Sequence, residues 1–399
     1  MHIVILGGAG LMGSGTARDL LSELSGGVTR LVIADTSCER MEQLHAALAD
    51  PRAETVELDV TNAEQTIALL RGADLCINAV PTFAGFQMDI FSYCLAAGCP
   101  YVDYGGMGVY TVRQKAEHEE WVRRGATAVL GLGADPGMSN MLCRAVADRL
   151  DSIDRINLYW AASAVGEESP VLVPPYSVST VLGEYANPSQ QFLDGELRQV
   201  PALSGSEFLD LPPPWGRREF MYSQHSEPLT VPFSAGIADK GIKEFTWKLS
   251  LPERENEAWI GLVKAGFGDY DDPLHIAGVD IKPVDYLQSL IQRNLDRNRE
   301  RIPDQEGYEI HFARGEGVSG GLPTRVTCTV YAEPDPLYEA YNDAATSMNV
   351  SIGAQLLLRA PLRPGVWVPE EYFPVDDYFA ELRKRNFRID IVSKTVEQL

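Results

Sequence analysis

Three glycines near the start of the chain carry the clearest chemistry. Gly8, Gly10 and Gly13 stand in GxGxxG spacing within GGAGLMG, directly after the apolar run His2–Leu6 and before an amphipathic stretch over residues 14–24. The first glycine permits a tight turn and the second lets backbone approach a pyrophosphate. The third allows close helix–strand packing, so that the N–H groups at the helix start face phosphate. Leu11 and Met12 ride on the same loop. Asp35 closes the next apolar run, 22 residues after Gly13, where a dinucleotide fold uses a carboxylate on the adenosine ribose hydroxyls. An acid there repels a 2′-phosphate and favours NAD(H); Ser37 and Arg40 nearby offset part of this and leave NADP(H) open. The alternative for Asp35 is an ordinary acidic strand end.

A second set of side chains is suited to proton transfer and anion binding. His225 and Glu227 alternate within HSEP, so on a strand end they share a face and can relay a proton, since imidazole titrates near neutrality. A structural, exposed pair is the competing reading. Arg217 and Arg218 could grip a substrate carboxylate as a fork, with Tyr104 and Lys243 as weaker candidates. Asp103 ends a short strand and offers a carboxylate to a developing positive charge, or else holds its own loop. Asp135 precedes Pro136-Gly137 where a helix begins; it is read as either a helix cap or a substrate contact.

The elements that must position these groups follow from periodicity. Apolar runs at 2–6, 30–34, 54–58, 74–80, 101–103 and 127–132 alternate with helical patterns at 14–24, 61–70, 86–97 and 112–124, a capping box being read at Thr61-Asn62-Ala63-Glu64. Six strands with intervening helices predict an α/β Rossmann domain, a doubly wound parallel sheet whose ligands lie at the carboxyl ends of the strands. That puts Asp59 and Val60, the segment Asn78, Ala79, Val80 and Pro81, residues 103–106, and Gly133 on the cofactor side. Beyond a helix at 138–150, strands are expected at 155–161, 191–200 (with an Asp194-Gly195 turn), 218–222, 243–251, 308–313 and 325–331, with helices at 255–265 and 284–295. This second region reads as an α+β substrate-binding and dimerisation domain with a mixed or antiparallel sheet. One long helix at 337–358 and a final one at 378–385 complete the reading. The expected domains are residues 1–135, 136–355, and a segment 356–399 returning to the first.

Composition narrows the function. The net charge of −22 argues against a nucleic-acid partner, which requires a surplus of Lys and Arg. No window of about 20 apolar residues is present, so no membrane span is expected, nor is a leader segment at the N-terminus. Six cysteines without CxxC spacing and six scattered histidines predict no metal site. A cytoplasmic enzyme is the expectation.

Five segments together carry a family resemblance: GGAGLMG, INAVP, AAGCPYVDYGG, GLGADPGMSNML and RPGVWVPEEYF. They resemble the saccharopine dehydrogenase family, closest to members of about 400 residues such as lysine 6-dehydrogenase. The likeness is sharpest over residues 1–145 and about 350–385. It implies a Rossmann domain completed by C-terminal residues around an inserted substrate and dimerisation domain; the sheet surface of such a strand-rich insert commonly pairs across a two-fold axis, so a homodimer or dimer of dimers is expected. It also implies hydride transfer between a nicotinamide cofactor and a carbon bonded to nitrogen, and places Asp103 near an amine or imine substrate. Two other readings stay open: a reductase of C=O or C=C bonds, and a dinucleotide-sensing binding protein without catalysis.

Overall fold

The computed structural model describes residues 1–105 and 108–397; Gly106, part of the predicted 103–106 loop, lies outside the described residues. Seven parallel strands form the first sheet, in the order Gly365–Trp367, Thr127–Val129, Tyr101–Asp103, Leu75–Asn78, His2–Leu6, Arg30–Asp35, Ala53–Glu57. Side chains alternate between faces, so Ile3, Ile5, Leu31, Ile33 and Ile77 join one apolar cluster while Val4, Leu6, Val32 and Cys76 join another with Phe91 and Trp121. Both faces of the inner strands are covered, which is why those strands read as nearly continuous apolar runs, unlike the edge strand Ala53–Glu57. Strand order reverses between His2–Leu6 and Leu75–Asn78, and that switch point opens the crevice at the carboxyl ends.

The second sheet is mixed and has nine strands, built around Ser152–Val165 and Glu306–Ser319. Its one parallel pair joins Glu244–Ser250 to Ser152–Val165, and the other ladders are antiparallel. The buried helix Met138–Ala147 packs on this sheet. The turn at Asp194-Gly195 has both φ angles positive, 54° and 84°, as a tight hairpin requires.

Several elements differ from expectation. The N-cap of Ala63–Leu70 is Asn62, whose side chain accepts from the Gln65 N–H at 3.1 Å, not Thr61. The single helix expected at 112–124 is two, Val109–Ala116 and His118–Arg123, broken where the Glu117 N–H turns back to the Gln114 carbonyl. The helix expected from 337 starts at Ala344, where Asp343 caps the Thr346 N–H at 2.7 Å. Sequence reading missed the helices Cys38–Leu48 and Val178–Ala186, the strands Glu207–Asp210, Gly365–Trp367 and Arg388–Thr395, and the small hairpin of Leu274–Ile276 with Val279–Ile281.

The return to the first domain is split. Helix Ala344–Arg359 packs on Leu11–Leu21 and strand Gly365–Trp367 extends the parallel sheet, but Arg388–Thr395 pairs with Leu322–Ala332 in the second sheet. Between them, Arg385 is fully buried and fixes the tail to the first helix. Its Nε and Nη2 donate to the Asp19 carboxylate at 2.9 and 2.7 Å, and Nη1 donates to Glu381 at 3.1 Å.

Candidate active site

One cleft of about 670 Å³ runs from the glycine loop to the second sheet. At its first end the backbone leaves no room for a Cβ at Gly7 or Gly13. Gly7 has φ +72°, and a Cβ there would lie 2.9 Å from the Ala79 carbonyl. A Cβ on Gly13 would lie 2.8 Å from both the Gly7 oxygen and Gly8 Cα, and one on Gly8 would meet Ile33 at 3.0 Å. Gly8 and Gly13 therefore serve close packing, while Gly10, Leu11 and Met12 line the cleft itself. Asp35, Asp59, Val60, Asn78, Ala79, Val80 and Pro81 line it too. Gly133 is buried behind the wall, its place at the surface taken by Ala134 and Asp135. Asn78 shapes its turn by accepting from the Val80 N–H at 3.1 Å. Asp35 accepts from the N–H groups of Ala9 at 3.2 Å and Ser37 at 3.1 Å, with the Arg40 guanidinium 3.7 Å away. A glycine-rich turn followed by a carboxylate at the next strand end fits a dinucleotide.

Asp103 is a structural anchor in this fold. Its carboxylate, 1% exposed, accepts from Gln87, Gln114 and the Tyr101 hydroxyl on Oδ2, and from the N–H groups of Gly105 and Gly131 on Oδ1. Five donors tie its loop to three other segments of the first domain at the wall of the cleft, which Asp103 lines. Tyr104 lines the cleft, but its hydroxyl is engaged by Thr16 at 2.6 Å. Arg217, Arg218 and Lys243 are not brought to this cleft: none lines it. Arg218 is held by the Trp215 carbonyl and Ser163, Arg217 lies over the Phe208 ring, and Lys243 is exposed. Among the described residues, the cleft's sole Lys or Arg is Arg40, beside Asp35 at the first end.

Two imidazoles occupy the far end, each between carboxylates. His225 Nδ1 lies 2.8 Å from Glu227, with Glu184 3.8 Å from its Nε2, and the ring stacks on Trp247 at 3.8 Å. The pair forms through a turn entering the short helix Glu227–Leu229, not along a strand. Glu227 is held from behind by the Ser139 hydroxyl at 2.8 Å. His311 Nδ1 lies 2.6 Å from Asp135 and its Nε2 3.2 Å from Glu309, which also accepts from the Trp160 indole. Asp135 is thus no helix cap: Gly137 holds that place, its N–H donating to Asn140. Sequence reading missed His311, Glu309 and Glu184. The first two alternate in YEIHFA, and an E-x-H inside an apolar strand was the available signal; Glu184 sits on an unassigned helix.

Electrostatics of this cluster are far from ordinary. Against the desolvation that would lower them, the adjoining carboxylates raise His225 to about 9 and His311 to about 10. Burial raises Glu184 to about 7 and Asp343 to about 6. Asp135 is held low by His311 against the opposing effect of burial. A raised folded-state value means stability that is complete below the unfolded value and lost as pH rises through the folded one. The protein is therefore expected to lose stability from near pH 6.5 to about pH 10, at up to about 1.4 kcal/mol per pH unit for each imidazole. Thermal melts across that range check this; a flat profile there contradicts the charged imidazoles.

Among the described residues no His, Cys, Asp or Glu group has a metal-holding arrangement, and no helix is long and apolar enough to cross a membrane. Residues 3–129 match the family model described as the saccharopine dehydrogenase NADP binding domain. This match and the loop geometry identify the first end as a nicotinamide-dinucleotide site. A carboxyaminopropylagmatine dehydrogenase from Synechocystis is 23% identical over 221 residues, 53% of this chain; the match spans about half (54%) of that relative's length. In structure, the chain is similar to the apo saccharopine dehydrogenase (L-Glu forming) of Saccharomyces cerevisiae, with TM-score 0.74 and 14% identity over 99% of this chain and 100% of that one.

Proposed function

We propose that the chain is a member of the saccharopine dehydrogenase family, whose NADP binding domain model matches residues 3–129, and that it is an NAD(P)-dependent oxidoreductase. Its reaction is oxidation of an amine, or reduction of an imine, at a C–N bond of an amino-acid-derived substrate. The observation that carries this reading is the single cleft joining the glycine loop to two buried imidazole–carboxylate groups. A bound nicotinamide supplies the hydride acceptor or donor. The chain's own part is to orient the substrate and exclude water. His225, backed by Glu227, exchanges a proton with the substrate nitrogen. The surrounding carboxylates favour the cationic state that an amine passes through as it becomes an iminium. The Synechocystis relative, named for a dehydrogenase of an agmatine derivative, supports chemistry at nitrogen. The same reading makes the protein cytoplasmic, and a homodimer or dimer of dimers.

A panel of amines and imine-forming carbonyl–amine pairs, followed by cofactor absorbance, tests it. Reduction of a ketone or alkene with indifference to every amine overturns the reaction class. Cofactor binding without turnover of any substrate favours a sensor.

Within this reading NAD(H) is preferred and NADP(H) accepted more weakly, because Asp35 faces the adenosine end while Arg40 offsets it in part. Asp35→Ser is expected to weaken NAD(H) binding about tenfold, roughly 1.4 kcal/mol, and to narrow the gap to NADP(H). Tighter binding of NADP(H) by the unmodified protein rejects the assignment.

A further inference from the structure

We propose that the far end of the cleft binds a second cationic group on the substrate, an ammonium or guanidinium beyond the reacting nitrogen, and that Glu184 and Glu309 select for it. The inference rests on the amine chemistry proposed above and adds the identity of the distal group.

The charge inventory is one-sided. Asp135, Glu184, Glu309 and Asp343 line this end, with Glu227 directly behind His225. Against these five carboxyl groups stand two imidazoles, each already shared by two carboxylates. Even with both imidazoles protonated, the carboxyl groups remain in excess. No Lys or Arg among the described lining residues could hold a substrate carboxylate here. A distal carboxylate would enter a field of its own sign, whereas a distal cation would relieve it.

A second observation points to a missing donor. Asp135 Oδ1 is buried and has no hydrogen-bond partner among the described residues, although its side chain is only 9% exposed. An unmet buried acceptor costs free energy, and an N–H of an entering cation can satisfy it. Trp160, Tyr176 and Trp247 line the same end; aromatic faces beside carboxylates favour ammonium and guanidinium groups. The raised values of Glu184 and Asp343 agree with an end that lacks a cation of its own.

The test is calorimetric titration of the full chain with three probes of similar length: 1,4-diaminobutane, butylamine and 4-aminobutanoate. The diamine is expected to bind at a single site at least tenfold more tightly than either of the others. Glu309→Gln and Glu184→Gln should each reduce that advantage at least fivefold, while exposed Asp376→Asn leaves it unchanged. Thermal melts establish that a variant is folded, and either of the two suffices if the other is not. Equal binding of the three probes, tighter binding of 4-aminobutanoate, or an advantage that survives in the folded Gln variants overturns the proposal. The amine panel separates this from the reaction itself. Diamine binding without cofactor turnover sinks the oxidoreductase reading and keeps the cation site; turnover of amines with no preference for the diamine does the reverse.

Discussion

Replacing Arg385 with Met is expected to cost about 3 to 5 kcal/mol of stability, the range for breaking a buried ion pair from one side. The guanidinium is fully buried and shares its donors between Asp19 and Glu381. Glu381 keeps Arg359 and Lys384 after the change, whereas Asp19, itself 0% exposed, retains only the weak 3.3 Å donation from Ser25 among its side-chain partners in the described residues. The loss therefore comes from a stranded carboxylate more than from missing contacts. Adding Asp19→Leu to the variant should restore most of the stability, because an apolar pair of similar volume needs no solvation. Urea unfolding of the parent, the single and the double variant decides it. A single variant within about 1 kcal/mol of the parent means that water reaches Asp19 and that the tail is less firmly attached than its geometry implies.

The second large effect is catalytic. His225→Ala is expected to lower turnover of the best amine by a factor of about 10² to 10⁴, the usual contribution of a positioned acid–base group. Dinucleotide affinity should stay within a few-fold, since His225 stands with the far-end cluster, against Glu227, Glu184 and Trp247. Measuring kcat and cofactor Kd separately distinguishes this from a packing defect caused by losing the ring stacked on Trp247. Near-parental turnover would transfer the role to the other imidazole, His311 with Asp135, which lines the same cleft.

How much of this was legible beforehand depended on how local the signal was. The glycine loop, Asp35 and the first six parallel strands are written in short stretches where turn chemistry and strand patterns coincide, and the structure has those elements within a few residues, whereas the order of the strands and the seventh, Gly365–Trp367, have no local signal. Asp103 shows what a local reading does not see. A carboxylate at the carboxyl end of a sheet strand is where a ligand group would stand, but its five donors come from Tyr101, Gln87, Gln114, Gly105 and Gly131, whose convergence only the tertiary fold reveals. Arg217 and Arg218 were chosen by residue type alone, and their strand faces elsewhere. The second imidazole group was hidden differently: Asp135 and His311 are 176 positions apart in sequence. Pairing across that distance leaves no local pattern, whereas His225 and Glu227, two residues apart, could be paired on sight even though the strand imagined for them is a turn.

The strand Gly365–Trp367, beside Thr127–Val129 in the parallel sheet, has a consequence for biosynthesis. A ribosome adding about 5 to 20 residues per second makes the inner strand some tens of seconds before the one that covers it. During that interval Thr127–Val129 is an uncovered edge with free N–H and C=O groups, open to pairing with another nascent chain. It is also very short, three residues with no polar side chain but Thr127, which limits how much foreign strand it can capture. The parallel sheet can reach its full width only after the entire second sheet except Arg388–Thr395 has been synthesised, so the two domains cannot mature one after the other as independent units.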